Sequence, residues 1–308
     1  MTGMRKEKLL CLVGPTASGK TALAVDLALA FGLEVVSCDS MQVYRGLDVG
    51  TAKPSPVERR GVPHHMLDVA NPDEHYSAAR YAGEAGLCLA DIASRGGRAL
   101  VAGGTGLYLR ALTTGLHSAD NAGLPAQEDD PRTNAALHAA LHAVDPETAM
   151  RLPPGDRRRI LRALEVHRAT GRPLSAHHLE SRETPPPAET AVLGLLCEDR
   201  QALYRRINAR VEDMLTQGLR EEVGDLLHAG LPPHCTAMQA IGYKEMAAHL
   251  RGECSLRDAA EAIKQNTRRL AKRQLTWFRH QEDVHWLEAS DPNLLEKAGE
   301  FVGNFILP

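Results

Sequence analysis

The first 115 or so residues alternate short apolar runs with longer segments in which apolar residues recur at helical spacing. The apolar runs predict buried strands at residues 9–13, 33–37 and 98–102, and the helical spacing predicts helices at residues 21–30 and 76–93. Gly32 is a typical helix stop, because glycine readily adopts the left-handed conformation that ends many helices. This alternation of strands and helices is typical of an α/β fold with a parallel sheet.

The pattern changes after residue 116, where a polar and irregular segment begins. The later segments with helical spacing are residues 133–143, 157–169 and 200–279. A strand pattern returns at residues 191–197, directly after Thr184-Pro185-Pro186-Pro187, a linker that cannot be helical. We therefore predict a helical domain at residues 117–187, inserted into a core domain that is formed by residues 1–116 and 188–308.

The composition is that of an ordinary globular protein of 308 residues with a formal net charge of −3. No apolar run is long enough to span a bilayer, and the first residues lack a signal-peptide pattern. The six cysteines include no Cys-x-x-Cys pair, so structural disulfides and a cysteine zinc site are not expected. We expect a cytoplasmic protein. Nothing in the sequence indicates an obligate assembly, so we also expect a monomer.

The segment that follows the first strand reads GPTASGKT, which fits the phosphate-loop pattern of Gly, four residues and Gly-Lys-Ser/Thr. A strand before the loop and a helix after it direct backbone amides at one anion. Lys20 can reach a bound phosphate, and the Thr21 hydroxyl can bind Mg²⁺. The loop is the signature of nucleotide-binding and ATP-binding proteins, but it does not by itself say that the phosphate belongs to ATP. The predicted phosphate-binding residues are Gly14, Pro15, Thr16, Ala17, Ser18, Gly19, Lys20 and Thr21.

Two basic clusters contrast with the acidic net charge. Residues 262–281 contain six Lys or Arg residues and no Asp or Glu, and residues 157–159 are three consecutive arginines followed by Arg162. Such clusters are often simply solvated helix faces. Two of them in one acidic chain favour a ligand that is rich in phosphate groups.

The carboxylate that follows a predicted strand most directly is Asp39. A phosphoryl-transfer enzyme usually needs an acid at the end of a strand to organise magnesium, but the third strand ends in Gly103-Gly104-Thr105-Gly106. Asp39 therefore suits a general base, or alternatively a cap of the turn that begins at Ser40. A small-molecule kinase or ATPase and a non-catalytic RNA-binding protein remain alternatives at this point.

Six segments, in order along the whole chain, resemble the tRNA dimethylallyltransferases, also called tRNA isopentenyltransferases. They are residues 14–21, residues 39–54 (DSMQVYRGLDVGTAKP), residues 103–108 (GGTGLY), residues 159–166 (RILRALEV), residues 241–245 (IGYKE) and residues 267–279 (TRRLAKRQLTWFR). The resemblance implies a P-loop NTPase-like parallel sheet flanked by helices, with an inserted helical domain that clasps tRNA. It also implies transfer of a dimethylallyl group from dimethylallyl diphosphate to the N6 amine of the adenosine 3′ of the anticodon, with Mg²⁺ required.

The resemblance also implies roles for individual residues. The implied catalytic residues are Asp39 as the base, with Lys20, Thr21 and Arg210 at the diphosphate. The implied tRNA contacts are Asp39, Ser40, Met41, Gln42, Thr105, Arg158, Arg159, Ile160, Leu161, Arg162, Arg268, Lys272 and Arg273. In one departure, Asn134 stands where the family commonly has an arginine three positions after an Asp-Pro pair. Arg132 is a candidate substitute.

Overall fold

A computed structural model describes residues 7–115, 130–183, 188–280 and 283–306 of the protein. Its centre is a parallel sheet of six strands in the order β3-β2-β4-β1-β5-β6. The strands are β1 (Glu7–Val13), β2 (Leu33–Cys38), β3 (His64–His65), β4 (Arg98–Gly103), β5 (Ala188–Leu196) and β6 (Val284–Glu288). This confirms the predicted α/β fold with a parallel sheet.

Thirteen α-helices accompany the sheet within the described residues. They are α1 (Lys20–Phe31), α2 (Pro56–Arg59), α3 (Ala78–Ser94), α4 (Gly106–Thr114), α5 (Asn134–Val144), α6 (Pro146–Arg151), α7 (Arg157–Thr170), α8 (Leu174–Glu183), α9 (Arg200–Thr216), α10 (Leu219–His228), α11 (Tyr243–Leu250), α12 (Leu256–Arg279) and α13 (Leu294–Ile306). None of the helices in the described ranges is long and apolar enough to cross a membrane.

The core of the sheet lies between β1 and its neighbouring strands on one side and helices α1 and α13 on the other. Leu12 of β1, Leu27 of α1 and Val302 of α13 are fully buried in the same cluster. Strand β1 is apolar along most of its length because both faces of a central parallel strand are covered. Gly32 ends α1 as predicted, with φ of 64° and its amide donating to the Ala28 carbonyl.

The chain divides into two compact units. One comprises residues 1–76, 84–109 and 188–308, and the other comprises residues 77–83 and 110–187. The second unit has its own core, which includes Leu137 and Leu141 of α5 and Ile160 of α7. The prediction began this helical domain at residue 117, whereas the compact unit also includes most of α4 and the first six residues of α3. The predicted polar segment after residue 116 and the proline linker lie outside the described residues.

Strands β3 and β6 are absent from the sequence-based prediction. β3 contains only two histidines, which pair with Val35 and Val36 of β2 and show no apolar pattern. His65 also contacts Glu34 at 2.7 Å. β6 pairs with β5 at the opposite edge of the sheet, and its apolar residues are Val284, Trp286 and Leu287.

We predict that Gly103→Ala destabilises the protein by about 1–3 kcal/mol, because a Cβ at the end of β4 would clash with the backbone carbonyl of Cys38 on β2. The free energy of unfolding is to be measured in urea. Gly86→Ala is the matched control, because nothing lies within 4 Å of a Cβ there and α3 should gain about 0.5–1 kcal/mol. Equal unfolding midpoints for Gly103→Ala and the wild type would contradict the prediction.

Candidate functional site

The phosphate loop, residues 14–21, joins the end of β1 to the start of α1, as predicted. Three of its residues have positive φ: Gly14 at 148°, Ala17 at 62° and Gly19 at 93°. A Cβ at Gly14 would lie 2.6 Å from the Leu195 carbonyl of β5, so only glycine fits there. The loop therefore turns tightly against the sheet and leaves the first amides of α1 facing outwards, as an anion site requires.

Lys20, at the start of α1, is folded back onto the loop. Its Nζ donates to the Pro15 carbonyl at 2.6 Å and to Ser18 Oγ at 3.5 Å. Burial and the neighbouring charge of Arg210 lower the pKa of Lys20 to about 7, while the charge of Asp39 opposes this shift. The ammonium group therefore lies within electrostatic range of two other predicted catalytic residues.

Asp39 follows β2 and caps the turn that comes after it. Its Oδ1 accepts from the amides of Met41 at 2.8 Å and Gln42 at 3.4 Å. The capping alternative is therefore correct for this oxygen. Within the described part of the chain, no hydrogen bond involves the second oxygen, Oδ2. One carboxylate can thus hold the turn and still present an acceptor to a ligand.

Arg210 reaches the site from α9 and is half-buried. Its Nη2 donates to the Thr51 carbonyl at 3.4 Å. Burial lowers the pKa of Arg210, and the negative charges of Asp39 and Glu58 oppose this. Lys20, Arg210 and Asp39 therefore form a mixed-charge cluster beside the phosphate loop, although they are far apart in the sequence.

Thr105 connects the ends of β2 and β4. Its amide donates to the Cys38 carbonyl at 3.1 Å, and its Oγ1 accepts from the Ser40 amide at 3.0 Å. Gln42 is also bonded within the protein: its Nε2 donates to the Thr51 and Ala52 carbonyls at 3.3 and 3.4 Å. The predicted acceptor-binding turn, residues 39–42, is thus fixed from both sides.

Glu222 and Tyr243 support the same region from outside the predicted site. The Glu222 carboxylate accepts from the amides of Asp48, Val49 and Gly50 at 3.0, 2.7 and 3.1 Å. The buried Tyr243 hydroxyl donates to Glu222 Oε1 at 2.5 Å, and burial together with this carboxylate raises the pKa of Tyr243. Thr51 directly follows the three residues that Glu222 holds, and its carbonyl accepts from both Arg210 and Gln42.

The basic residues of α12 differ in their surroundings. Arg268 is held by Asn208 of α9, whose Oδ1 accepts from Nη1 at 2.7 Å, and its guanidinium lies 5.7 Å from the centre of the Tyr204 ring. Lys272 and Arg273 are exposed. Phe278 is a core residue with 1% of its surface exposed. Helix α12 therefore carries one oriented arginine and a solvated basic face.

The second basic cluster lies at the start of α7, within the second unit. Arg158 and Arg159 are exposed, and Arg159 and Arg162 form ion pairs with Asp156 at 3.3 Å and Glu165 at 3.7 Å. Ile160 and Leu161, which were included among the tRNA contacts, are 0% and 7% exposed in the core of this unit. Their side chains do not face solvent, because helical periodicity turns them inwards between the arginines.

Asn134, which stands where the family commonly has an arginine, and the nearby Arg132 also form contacts within the second unit. Arg132 forms an ion pair with Asp130 at 2.6 Å, and this contact lowers the pKa of the Asp130 carboxyl. The Asn134 side chain accepts from Arg157 at 3.1 Å. Any RNA contact by Arg132 would therefore have to compete with Asp130.

Comparison with known protein families gives matches to two family models. A family model described as IPP transferase matches residues 42–281, and one described as isopentenyl transferase matches residues 7–73. The first match covers more than half of the chain. The chain belongs to the IPP transferase family.

Individual relatives of the family agree over nearly the full length. The tRNA dimethylallyltransferase of Geobacter sulfurreducens is 52% identical over 288 residues, with 92% of each chain covered. The crystal structure of a tRNA isopentenylpyrophosphate transferase from Bacillus halodurans is 39% identical with a TM-score of 0.74, and covers 97% of this chain and 96% of its own. A eukaryotic dimethylallyltransferase, described as acting on tRNA, is 28% identical with a TM-score of 0.80, covering 97% and 80%. The predicted P-loop NTPase-like sheet is therefore confirmed.

We predict that this IPP transferase takes up a proton when it binds pyrophosphate above pH 7. Lys20 is charged below its pKa of about 7 and increasingly neutral above it, whereas a bound anion favours the charged form. Affinity attributable to Lys20 should thus fall as the pH rises through 7. Calorimetry at pH 8 in buffers of different ionisation enthalpy measures the uptake, and Lys20→Met serves to subtract protons that belong to the ligand. Equal uptake by both proteins would contradict the assignment.

Proposed function

We propose that the protein transfers a dimethylallyl group from dimethylallyl diphosphate to the exocyclic N6 amine of the adenosine 3′ of the anticodon in tRNA, releasing pyrophosphate. The names of its relatives support prenyl transfer to tRNA. The observation that carries the proposal is the cluster of Asp39, Lys20 and Arg210 beside the phosphate loop. It combines a base with two cations, which prenyl transfer to an amine requires and simple phosphate binding does not.

The acceptor half of the reaction needs a base. The aromatic amine is a poor nucleophile, so removal of its proton assists formation of the carbon–nitrogen bond. Asp39 is the base in this proposal: Oδ1 is held by two amides, and Oδ2 receives the proton as the new bond forms. The proton then passes to solvent, and the carboxylate is regenerated.

The donor half of the reaction needs cations. As the allylic carbon–oxygen bond breaks, the electron pair remains on the diphosphate, and negative charge accumulates there. Lys20, Arg210 and the outward-facing amides at the start of α1 stabilise this charge. Both side chains are partly removed from water, which strengthens their interaction with the leaving group.

Magnesium at this site is a proposal that the donor set supports. Thr21 is exposed at the first turn of α1, directly after Lys20, so its hydroxyl would hold the ion. Mg²⁺ keeps several waters and takes few protein ligands, which agrees with a site that offers one hydroxyl. The ion would supply further stabilisation of the leaving diphosphate.

A small-molecule kinase or ATPase is the less favoured reading. Strand β4 lies directly beside β1 and ends in Gly103 without an acid, where magnesium-dependent phosphoryl transfer usually places a carboxylate. The kinase reading also assigns no task to the exposed basic face of α12. Cytoplasmic location and a monomeric state stay predictions from the sequence.

The direct test is transfer of radiolabelled dimethylallyl group from its diphosphate to unmodified tRNA, with Mg²⁺ and without ATP. We expect label in the tRNA and release of one pyrophosphate for each transfer. A tRNA with guanosine in place of the target adenosine is the matched control. ATP hydrolysis without labelled tRNA would overturn the proposal in favour of the kinase.

We predict that Asp39→Asn lowers kcat by about 10²–10⁴-fold while the Kd for tRNA stays within about twofold. Asparagine retains an oxygen that can accept from the Met41 and Gln42 amides, so the turn is preserved while the base is lost. Single-turnover transfer measures the chemical rate, and Asp26→Asn on the surface of α1 is the control. Transfer at the wild-type rate by Asp39→Asn would show that another group takes the proton.

We predict that the double variant Arg268→Gln with Lys272→Gln binds tRNA more weakly and with a smaller salt dependence. Each lost phosphate contact should reduce the slope of log affinity against log salt concentration by about 1. The control is Arg220→Gln with Arg257→Gln, two exposed arginines outside the 268–273 cluster. Identical salt slopes for the variant and the wild type would place the RNA backbone elsewhere.

A further inference from the structure

The glycine-rich turn after β4, residues 103–106, is the place where α12 docks. A Cβ at Gly104 would clash with the Gln274 side chain, and a Cβ at Gly106 would clash with the indole ring of Trp277. These two α12 residues are three positions apart and therefore share a helix face. The glycines of the turn are thus explained by the close approach of this helix, and not by a phosphate of their own.

Gln274 is bonded to two separate loops of the candidate site. Its Oε1 accepts from the Thr16 amide at 2.8 Å, and its Nε2 donates to the Gly104 carbonyl at 3.0 Å. The side-chain amide can satisfy both groups in one orientation only, because an amide N–H can only donate and a carbonyl can only accept. The two bonds therefore fix the side chain and hold the two loops at a set separation.

Each of these two loops holds a residue that serves one half of the proposed reaction. Thr16 belongs to the phosphate loop, whose Lys20 serves the diphosphate. Gly104 precedes Thr105, which binds the Ser40 amide next to Asp39. Three hydrogen bonds therefore connect the phosphate loop to the turn that carries Asp39. They join Thr16 to Gln274, Gln274 to Gly104, and Thr105 to Ser40.

The core behind these loops supports the same geometry. Ala271 of α12 and Ile207 of α9 are buried in one cluster, and Ala17 of the phosphate loop packs against it. Gln274 lies one turn beyond Ala271, so its backbone is anchored by apolar packing. A side chain on such an anchored helix can set the position of a loop more precisely than a residue of the loop itself.

We propose that Gln274 is a positioning residue that holds the phosphate loop against the β4–α4 turn and thereby sets the distance between the allylic carbon of the donor and the acceptor amine at Asp39. This inference rests on the proposed function. Gln274 itself touches neither substrate. Its loss should therefore affect donor binding and the chemical step while leaving the exposed RNA-binding residues of α12 in place.

The first test compares Gln274→Met, which has a similar size and neither hydrogen bond, with the control Gln265→Met at an exposed position of the same helix. We expect the Kd for inorganic pyrophosphate to rise about tenfold, and kcat to fall by at least as much, because two hydrogen bonds to the loops are lost. The Kd for tRNA and the Tm should stay close to the wild-type values. An unchanged pyrophosphate Kd, or a parallel loss of pyrophosphate and tRNA binding, would overturn the proposal.

A double-mutant cycle tests the same contact from the opposite side. Gly104→Ala should displace the Gln274 amide and reproduce the pyrophosphate defect without any change to Gln274. In the Gln274→Ala background the space is open, so adding Gly104→Ala should cause no further loss. Additive losses in the double variant would overturn the proposal. Pyrophosphate affinity is measured without an acceptor, so these outcomes remain distinct from a failure of wild-type transfer, which would count against the proposed function alone.

Discussion

Two cations and one carboxylate lie within electrostatic range of one another beside the phosphate loop, and the surrounding contacts hold this arrangement in place. Burial lowers the pKa of both Lys20 and Arg210, the charge of Arg210 lowers the pKa of Lys20 further, and Asp39 compensates only in part. An incoming diphosphate would supply the missing negative charge. The site is therefore electrostatically incomplete without its ligand, which gives selectivity for a dense anion over a neutral molecule.

The loops that carry this cluster must be held in fixed positions, because Asp39 would otherwise move into direct contact with Lys20 or Arg210. Three devices hold them here. One oxygen of Asp39 accepts from the Met41 amide, and the Thr51 carbonyl accepts from Arg210. The Glu222 carboxylate accepts from the three consecutive amides of residues 48–50. Because one carboxylate accepts from all three amides, Glu222 acts as a fixed support for this loop.

The sequence predicted those parts of the molecule whose role in the folded protein is marked by a pattern of a few consecutive residues. The apolar run of β1, the phosphate loop and the Gly32 stop of α1 are each legible within a few residues. Edge strands such as β3 are not, because two residues carry no periodicity. Ile160 and Leu161 show the limit of treating consecutive residues as one patch, since each helical residue is turned by about 100° from the last, so these two face the core while Arg158 and Arg159 face solvent. Glu222 and Gln274 act through backbone groups distant in sequence, and no local pattern identifies them.

The strand order has a consequence for how the chain acquires its structure. Leu10, on the first strand to be synthesised, pairs with Leu100 on one side and with Ala191 on the other. Contacts this distant in sequence are slow to form, because a long loop must close before any pairing stabilises it. On the ribosome, β1 would therefore wait for its second neighbour until residue 191 had been made. During that interval the unpaired edge of this apolar strand is prone to aggregation.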